Sequence, residues 1–262
     1  MRAGSGTVAR VSASPGGTEL GPRPAAGRVF DAERRVRLAD ASPAGRLRLD
    51  ALARFAQDVA RDDSRDAALA DADAWVVRRT AVEVHRFPVY DEAVSLHTWC
   101  SGVGPRWADR RTSVMGADGG RVELVTLWVA VDGASGRPRA LGPDFAARYA
   151  PAAGRRTVTA RLSHGPAPAA GPADAPWPLR FTDFDVLGHV NNAAYWEPVE
   201  EVLAARRDLR APLRTEVEFV QPIAPGEAPR LVRRDGADGD VALWLVGATG
   251  ATHASAFVRD LS

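Results

Sequence analysis

Arg180-Phe-Thr-Asp183-Phe-Asp185-Val-Leu-Gly188-His189-Val-Asn191-Asn192-Ala-Ala-Tyr195-Trp196 gathers two carboxylates, an imidazole, two amides and a glycine into one short stretch. Its periodicity reads as a strand over residues 179–182, a turn, and a helix over residues 191–206. A helix beginning near Asn191 would present unpaired N–H groups and the positive end of its dipole, a setting that can hold a carbonyl oxygen as it becomes an oxyanion. Gly188 would let a ligand approach the backbone closely. Asp185 is placed to act as base or nucleophile on the same carbonyl, and His189 to orient or activate a water. Each residue also has an ordinary reading. Asp and Asn before a helix commonly cap it, His is often structural, and Tyr195 with Trp196 is normally core.

Working outward, the stretch has a counterpart earlier in the chain. Shifted by 143 residues, Arg37, Asp40 and Gly45 fall on Arg180, Asp183 and Gly188. Shifted by 135, Thr80, Val82, Glu83, Glu92, Ala93 and Leu96 fall on Thr215, Val217, Glu218, Glu227, Ala228 and Leu231. The order of elements agrees as well. Residues 34–38 read as a strand, 47–61 as a helix, and the segments from Trp75 through 106–115, 121–131 and 137–141 as an antiparallel meander with turns at 116–120 and 132–133. The second copy repeats the pattern with strands over 215–220, 229–234, 241–246 and 253–260. Two copies of one α+β unit, each a helix on an antiparallel sheet, is the economical reading. The copies differ in their polar residues: Asp185 faces Ser42, His189 faces Arg46, and Asn191 and Asn192 face Arg48 and Leu49. Chemistry is therefore expected in the second copy.

The division predicted is a flexible Gly/Ala/Pro/Ser-rich tail over residues 1–28, a first half over 29–163, a linker over 164–178 with five prolines, and a second half over 179–262. Length and a hydrophobic content of 45% suit a folded protein of two ordinary units. No apolar run could span a bilayer and the N-terminus lacks a signal-peptide core, so no membrane partner is expected and the cytoplasm is the expected compartment. A net charge of +1 argues against nucleic acid as a partner. All 34 basic residues are arginine, which excludes a Walker-type lysine and Schiff-base chemistry. Cys100 is the only cysteine, so no disulfide and no multi-cysteine metal site can form; lying in a strand pattern, it reads as a small buried hydrophobe. His85, His97, His164 and His253 show no metal-ligand spacing, and neither metal nor cofactor is expected.

The run Thr182-Asp-Phe-Asp-Val-Leu-Gly-His-Val-Asn-Asn-Ala-Ala-Tyr195 resembles the T-D-x-D-x-x-G-H-V-N-N-x-x-Y signature of hotdog-fold thioesterases. Trp75-Val-Val, Val82-Glu-Val-His-Arg-Phe-Pro88, Asp91-Glu-Ala-Val, His97-Thr-Trp99 and Leu127-Trp128-Val129 are similar to the first half of plant and bacterial acyl-ACP thioesterases, and Leu52 to Asp58, with Gln57-Asp58, to that family's first helix. The resemblance implies a tandem double hotdog, each half a long helix on an antiparallel sheet, that hydrolyses fatty acyl-ACP to free fatty acid and the carrier protein in fatty acid biosynthesis. It carries catalytic roles onto Asp185, His189 and Asn191, and substrate contacts onto Gly188, Asn192 and Trp75. An acyl pocket lined by Trp75, Trp99, Trp107 and Trp128 would follow, and Glu201 would be a structural helix glutamate. Two positions depart from the plant pattern: Leu187 stands where an asparagine is typical, and Pro222-Ile223 where a Glu-Cys pair is typical. The burden then falls on Asp185. An acyl-CoA thioesterase and a non-catalytic acyl-binding protein are the rival readings, and assembly as a homodimer stays open.

Overall fold

The computed structural model describes residues 20–69, 74–169, 171 and 174–262. Residues 1–19 of the expected tail, and 170, 172 and 173 of the expected linker, lie outside these. Where the tail was expected to continue to residue 28, the chain is already tied down: Gly21 O accepts from Arg111 Nη1 at 2.9 Å, and Arg28 Nε bonds Asp63 Oδ1 at 2.6 Å.

Among the described residues ten strands form one antiparallel sheet: β1 (Val29–Arg35), β2 (Ala74–Arg86), β3 (Ala93–Val103), β4 (Trp107–Gly116), β5 (Arg121–Val131), β6 (Ala175–Pro176), β7 (Leu213–Phe219), β8 (Arg230–Asp235), β9 (Val241–Val246) and β10 (Thr252–Asp260). Their order is β1-β3-β4-β5-β2-β7-β10-β9-β8-β6. Among the described residues three α-helices join them: α1 (Leu49–Asp66), α2 (Pro143–Ala153) and α3 (Glu197–Ala205). The first half supplies one end of the sheet and the second half the other, and β2 pairs with β7 at the junction.

Along α1, Leu49, Leu52, Ala53, Val59 and Ala60 are buried while Arg54, Asp58 and Arg61 are exposed. That spacing lays one apolar stripe on the sheet. The partner side chains come from alternate strand positions, including Val82, Val84, Val94, Leu96, Val114, Val122 and Leu124. The same core continues without a break through Val199 and Val202 of α3 to Val217, Leu243 and Val258.

The repeat read from the sequence recurs bond for bond. In the first half Ser42 N donates to Arg46 O, Gly45 N to Ser42 O, Arg48 N to Asp40 O, and Leu47 N to Pro88 O. In the second, Asp185 N donates to His189 O, Gly188 N to Asp185 O, Asn191 N to Asp183 O, and Val190 N to Ile223 O. Each pair of bonds is related by the two offsets, 143 before the helix and 135 after it.

Several expected elements shift. The helix expected over residues 191–206 becomes a 3-10 turn, Ala194–Trp196, followed by α3. Asn191 Oδ1 takes the Ala193 N–H at 2.9 Å, Asn191 O takes the Ala194 N–H, and Pro198 has no N–H to offer Ala194 O, so the α pattern cannot begin earlier. Residues 179–182 are not a strand; Phe181–Asp183 is a 3-10 turn, as is its counterpart Leu38–Asp40. The strand expected over 34–38 lies earlier, as β1. Residues 137–141 form only an isolated bridge, Val131 to Pro138. The expectation missed α2, which packs Tyr149 against Ala67, Cys100 and Ala108.

Candidate active site

The turn between Asp183 and Ala193 is shaped by its own polar groups. Asp183 is buried, its Oδ2 accepting the Arg180 N–H at 2.7 Å. A bridge between Phe184 and Val190 closes the loop, and Gly188, with φ at 77°, makes its sharp corner. Asp185 is half-buried: Oδ1 accepts the Leu187 N–H at 2.9 Å and Oδ2 accepts from Asn191 Nδ2 at 3.4 Å. The turn thus holds Asp185 and Asn191 together, with the carboxylate oriented by one backbone and one amide donor. His189 is brought to the same loop, yet its ring is exposed and has no hydrogen-bond partner among the described residues.

The oxyanion reading needs revision in detail. The N–H groups of Ala193 and Ala194 are both taken by Asn191. Asn192 is the residue whose backbone N–H and side-chain amide have no partner among the described residues. It is half-buried and lines a cavity of about 20 Å³ together with Gln57, Thr80, Thr112, Thr126 and Trp128.

A larger cavity of about 370 Å³ lies under α1 in the first half, lined chiefly by Trp75, Cys100, Ala108, Trp128, Phe145 and Tyr149. Leu187 from the second half's turn also lines it, as does Gln57, so the two cavities adjoin along Gln57 and Trp128. Trp75 is held by Phe145, ring centroids 5.2 Å apart, and Phe145 by Tyr149 at 5.0 Å. Trp99 and Trp107 do not line this cavity. Burial pushes the Cys100 thiol up to about 11, which suits the wall of an apolar slot and not a nucleophile.

The departures at Leu187 and Pro222-Ile223 have structural uses. Leu187 contributes its N–H to Asp185, and its exposed side chain reaches the larger cavity. Pro222 O accepts from His253 Nδ1 at 3.0 Å, and the fully buried Ile223 gives its carbonyl to Val190 N–H. Tyr195 and Trp196 are core, Tyr195 lying edge-on to Phe219 at 5.3 Å. Besides Glu197, which faces Arg180 at 3.6 Å, the helix glutamate that makes contacts is Glu200, not the exposed Glu201. Sequence reasoning missed it, although the 143 shift sets it opposite Gln57.

Spacing revealed no metal site, but the fold gathers His164, Glu216 and Glu218 with ligand atoms within 4.8 Å of one another. Glu216 already faces Arg79 at 4.0 Å and Arg214 at 3.9 Å, and Glu218 accepts the N–H groups of Ser163 and His164. Protein cations and donors thus supply what an ion would. Among the described residues no helix is long and apolar enough to cross a membrane.

The sequence profile of the acyl-ACP thioesterase N-terminal domain matches residues 27–149, and that of the C-terminal domain matches residues 169–249. The uncharacterized proteins MT2057 and Rv2001 of Mycobacterium tuberculosis are each 34% identical over 228 residues, covering 86% of this chain and 89% of theirs. An acyl-ACP thioesterase from Bacteroides thetaiotaomicron is similar in structure, with a TM-score of 0.75 at 19% identity over 88% of this chain and 96% of that one. The 12:0-ACP thioesterase from Umbellularia californica gives a TM-score of 0.68 at 19% identity, covering 89% and 97%. These structures share the double hotdog fold expected from the resemblance. With both domains of the family matched in order along its length, this chain belongs to the acyl-ACP thioesterase family.

Proposed function

We propose that the chain hydrolyses fatty acyl thioesters carried on acyl carrier protein, releasing free fatty acid and the carrier thiol. The observation that supports this most directly is Asp185: a carboxylate oriented by Leu187 N–H and Asn191 Nδ2, on a turn whose next residues border an apolar cavity. The acyl chain would lie in that cavity, along Trp75, with the thioester carbonyl at its junction with the small cavity beside Asn192. Gly188 would leave room for the carrier's arm, since nothing stands within 4 Å of its missing Cβ.

Among the described residues each Asp185 oxygen accepts one hydrogen bond, which leaves lone pairs for chemistry. As a general base the carboxylate takes a proton from the attacking water; as a nucleophile it forms a mixed anhydride that water then opens. Trapping with hydroxylamine separates the two, because only the anhydride route yields an Asp185 hydroxamate. Asn191 would orient Asp185, and His189, exposed on the same turn, would meet water or substrate. No cofactor takes part in this scheme.

The test is release of free thiol from matched acyl-ACP and acyl-CoA thioesters, measured side by side. Faster turnover of acyl-ACP supports the proposal. Preference for acyl-CoA would replace the carrier, and binding of both without thiol release would make the protein an acyl-binding one.

A further inference from the structure

We propose that Gln57, on the helix of the half that lacks Asp185 and His189, donates a hydrogen bond to the thioester carbonyl oxygen in the transition state, alongside the Asn192 N–H. The assignment rests on the hydrolytic reading of Asp185 and adds a residue to it from across the junction.

The first half displays the geometry in occupied form. There the N–H of Leu49 is taken by Glu200 Oε1 at 2.7 Å, and Arg46 grips the same carboxylate through Nη1 at 3.0 Å and Nη2 at 2.7 Å. An anionic oxygen from α3 of the other half therefore stands on the N–H that follows the turn, where helix-start donors and dipoles favour negative charge. In the second half the 143 shift places Asn192 for Leu49 and His189 for Arg46, and Gln57 is what Glu200 becomes when the two halves are exchanged.

Three observations agree with that exchange. Gln57 and Asn192 line the same small cavity. Neither the Asn192 N–H nor the Gln57 side chain has a partner among the described residues, although both residues are half-buried. A carboxylate can only accept, whereas an amide carries two N–H donors. Glutamate at this position closes the N–H; glutamine leaves it to a substrate oxygen and adds a second donor. Gln57 also borders the apolar cavity, so an oxygen held by it would belong to a chain running toward Trp75.

The step balances without further reagents. Water, or Asp185 itself, adds to the thioester carbon, and the carbonyl π pair moves onto the oxygen held by Gln57 and Asn192. When that pair returns the C–S bond breaks; the leaving thiolate takes up the proton that Asp185 removed from water or, where Asp185 itself added, the proton released when water then opens the anhydride and frees the carboxylate.

The test compares wild type with Gln57→Ala, Gln57→Glu and Asp185→Asn on a series of saturated acyl-ACP and acyl-CoA thioesters. Gln57→Ala should lower kcat about a hundredfold, the scale of a lost oxyanion donor, with KM and melting temperature close to wild type. Gln57→Glu should be as impaired near neutrality, because its carboxylate would take the Asn192 N–H as Glu200 takes that of Leu49. Its rate relative to wild type should rise as pH falls, since a protonated carboxyl can donate. A purely structural Gln57 would instead lower the melting temperature while leaving kcat per folded molecule and this pH ratio unmoved, and that result overturns the assignment. Wild-type kcat in Gln57→Ala, with Asp185→Asn inactive, also overturns it and leaves Asp185 in place. No thiol release by the wild type from any thioester would overturn the hydrolytic reading and this assignment with it.

Discussion

Ala81 of β2 lies directly opposite Glu216 of β7, and Glu216 is also the residue onto which Ala81 falls when the chain is shifted by 135. The pairs on either side are reciprocal. Thr80 faces Val217 and Val82 faces Thr215, each opposite the counterpart of the other. A local two-fold axis therefore passes through the junction, and the halves meet as the protomers of an isologous dimer do. The first half's turn is accordingly served by the other half's helix, Glu200 accepting the Leu49 N–H.

Asp185→Asn should fold normally and lose turnover by a factor on the order of a hundred or more, the scale of a positioned general base. The amide still accepts from Leu187 N–H, so thermal melting should stay near wild type while thiol release collapses. Near wild-type turnover would remove Asp185 from the mechanism.

The Arg46 and Glu200 pair should matter for stability and not for chemistry. Their side chains are only 20% and 12% exposed, and Glu200 also holds the first N–H of α1. Glu200→Ala should cost roughly 2 kcal/mol, since it leaves a partly buried guanidinium without its carboxylate and a helix N–H without a partner. Arg46→Ala should cost somewhat less, and Ser42→Ala almost nothing because its buried Oγ already lacks a partner. Denaturant melts read the stability. In all three variants kcat at saturating substrate should stay within a few-fold of wild type; a collapse without unfolding would place the active site in the first half.

His189→Gln distinguishes a chemical from a structural imidazole. The ring is exposed and forms no hydrogen bond among the described residues, so the variant should melt with the wild type. Its turnover should fall. Unchanged turnover would leave Asp185 and its neighbours to carry the reaction alone.

Cys100 should contribute a pH-dependent increment of stability. Burial raises its pKa from 9.0 to about 11, so the folded state favours the protonated thiol. That preference is fully present below pH 9 and is lost as pH rises toward 11, with a slope of at most about 1.4 kcal/mol per pH unit. The stability difference between wild type and Cys100→Ala should shrink over that interval, read from urea melts at successive pH values. Turnover at neutral pH should survive the substitution, and slow alkylation of the native thiol would accompany it.

The fold was largely legible because strand alternation and the two offsets are properties of consecutive residues. The helix boundary at Asn191 was misplaced because an asparagine cap and a proline two residues into α3 delay the helix while its apolar spacing already runs. α2 was missed for a related reason: it contains Pro151, a residue that ordinarily ends a helix. The Asp185 and Asn191 contact was foreseeable, since six residues of turn bring them together. The meeting of Gln57 and Asn192 at one small cavity, and the bonding of Glu200 to Arg46, were not. Both bring together residues far apart in the chain, across the junction set by the β2 to β7 register.

Because that junction lies inside one polypeptide, the two versions of the helix position are encoded separately. In a dimer of identical subunits every substitution strikes both turns at once, so a glutamate that anchors one helix would also block the other. Here position 200 can keep its carboxylate and position 57 its amide, and neither choice compromises the other. The covalent connection also keeps the unequal halves facing each other at any dilution, since their association is intramolecular. Specialisation of one turn for anchoring and of the other for substrate is thus open to a fused pair and closed to a symmetric one.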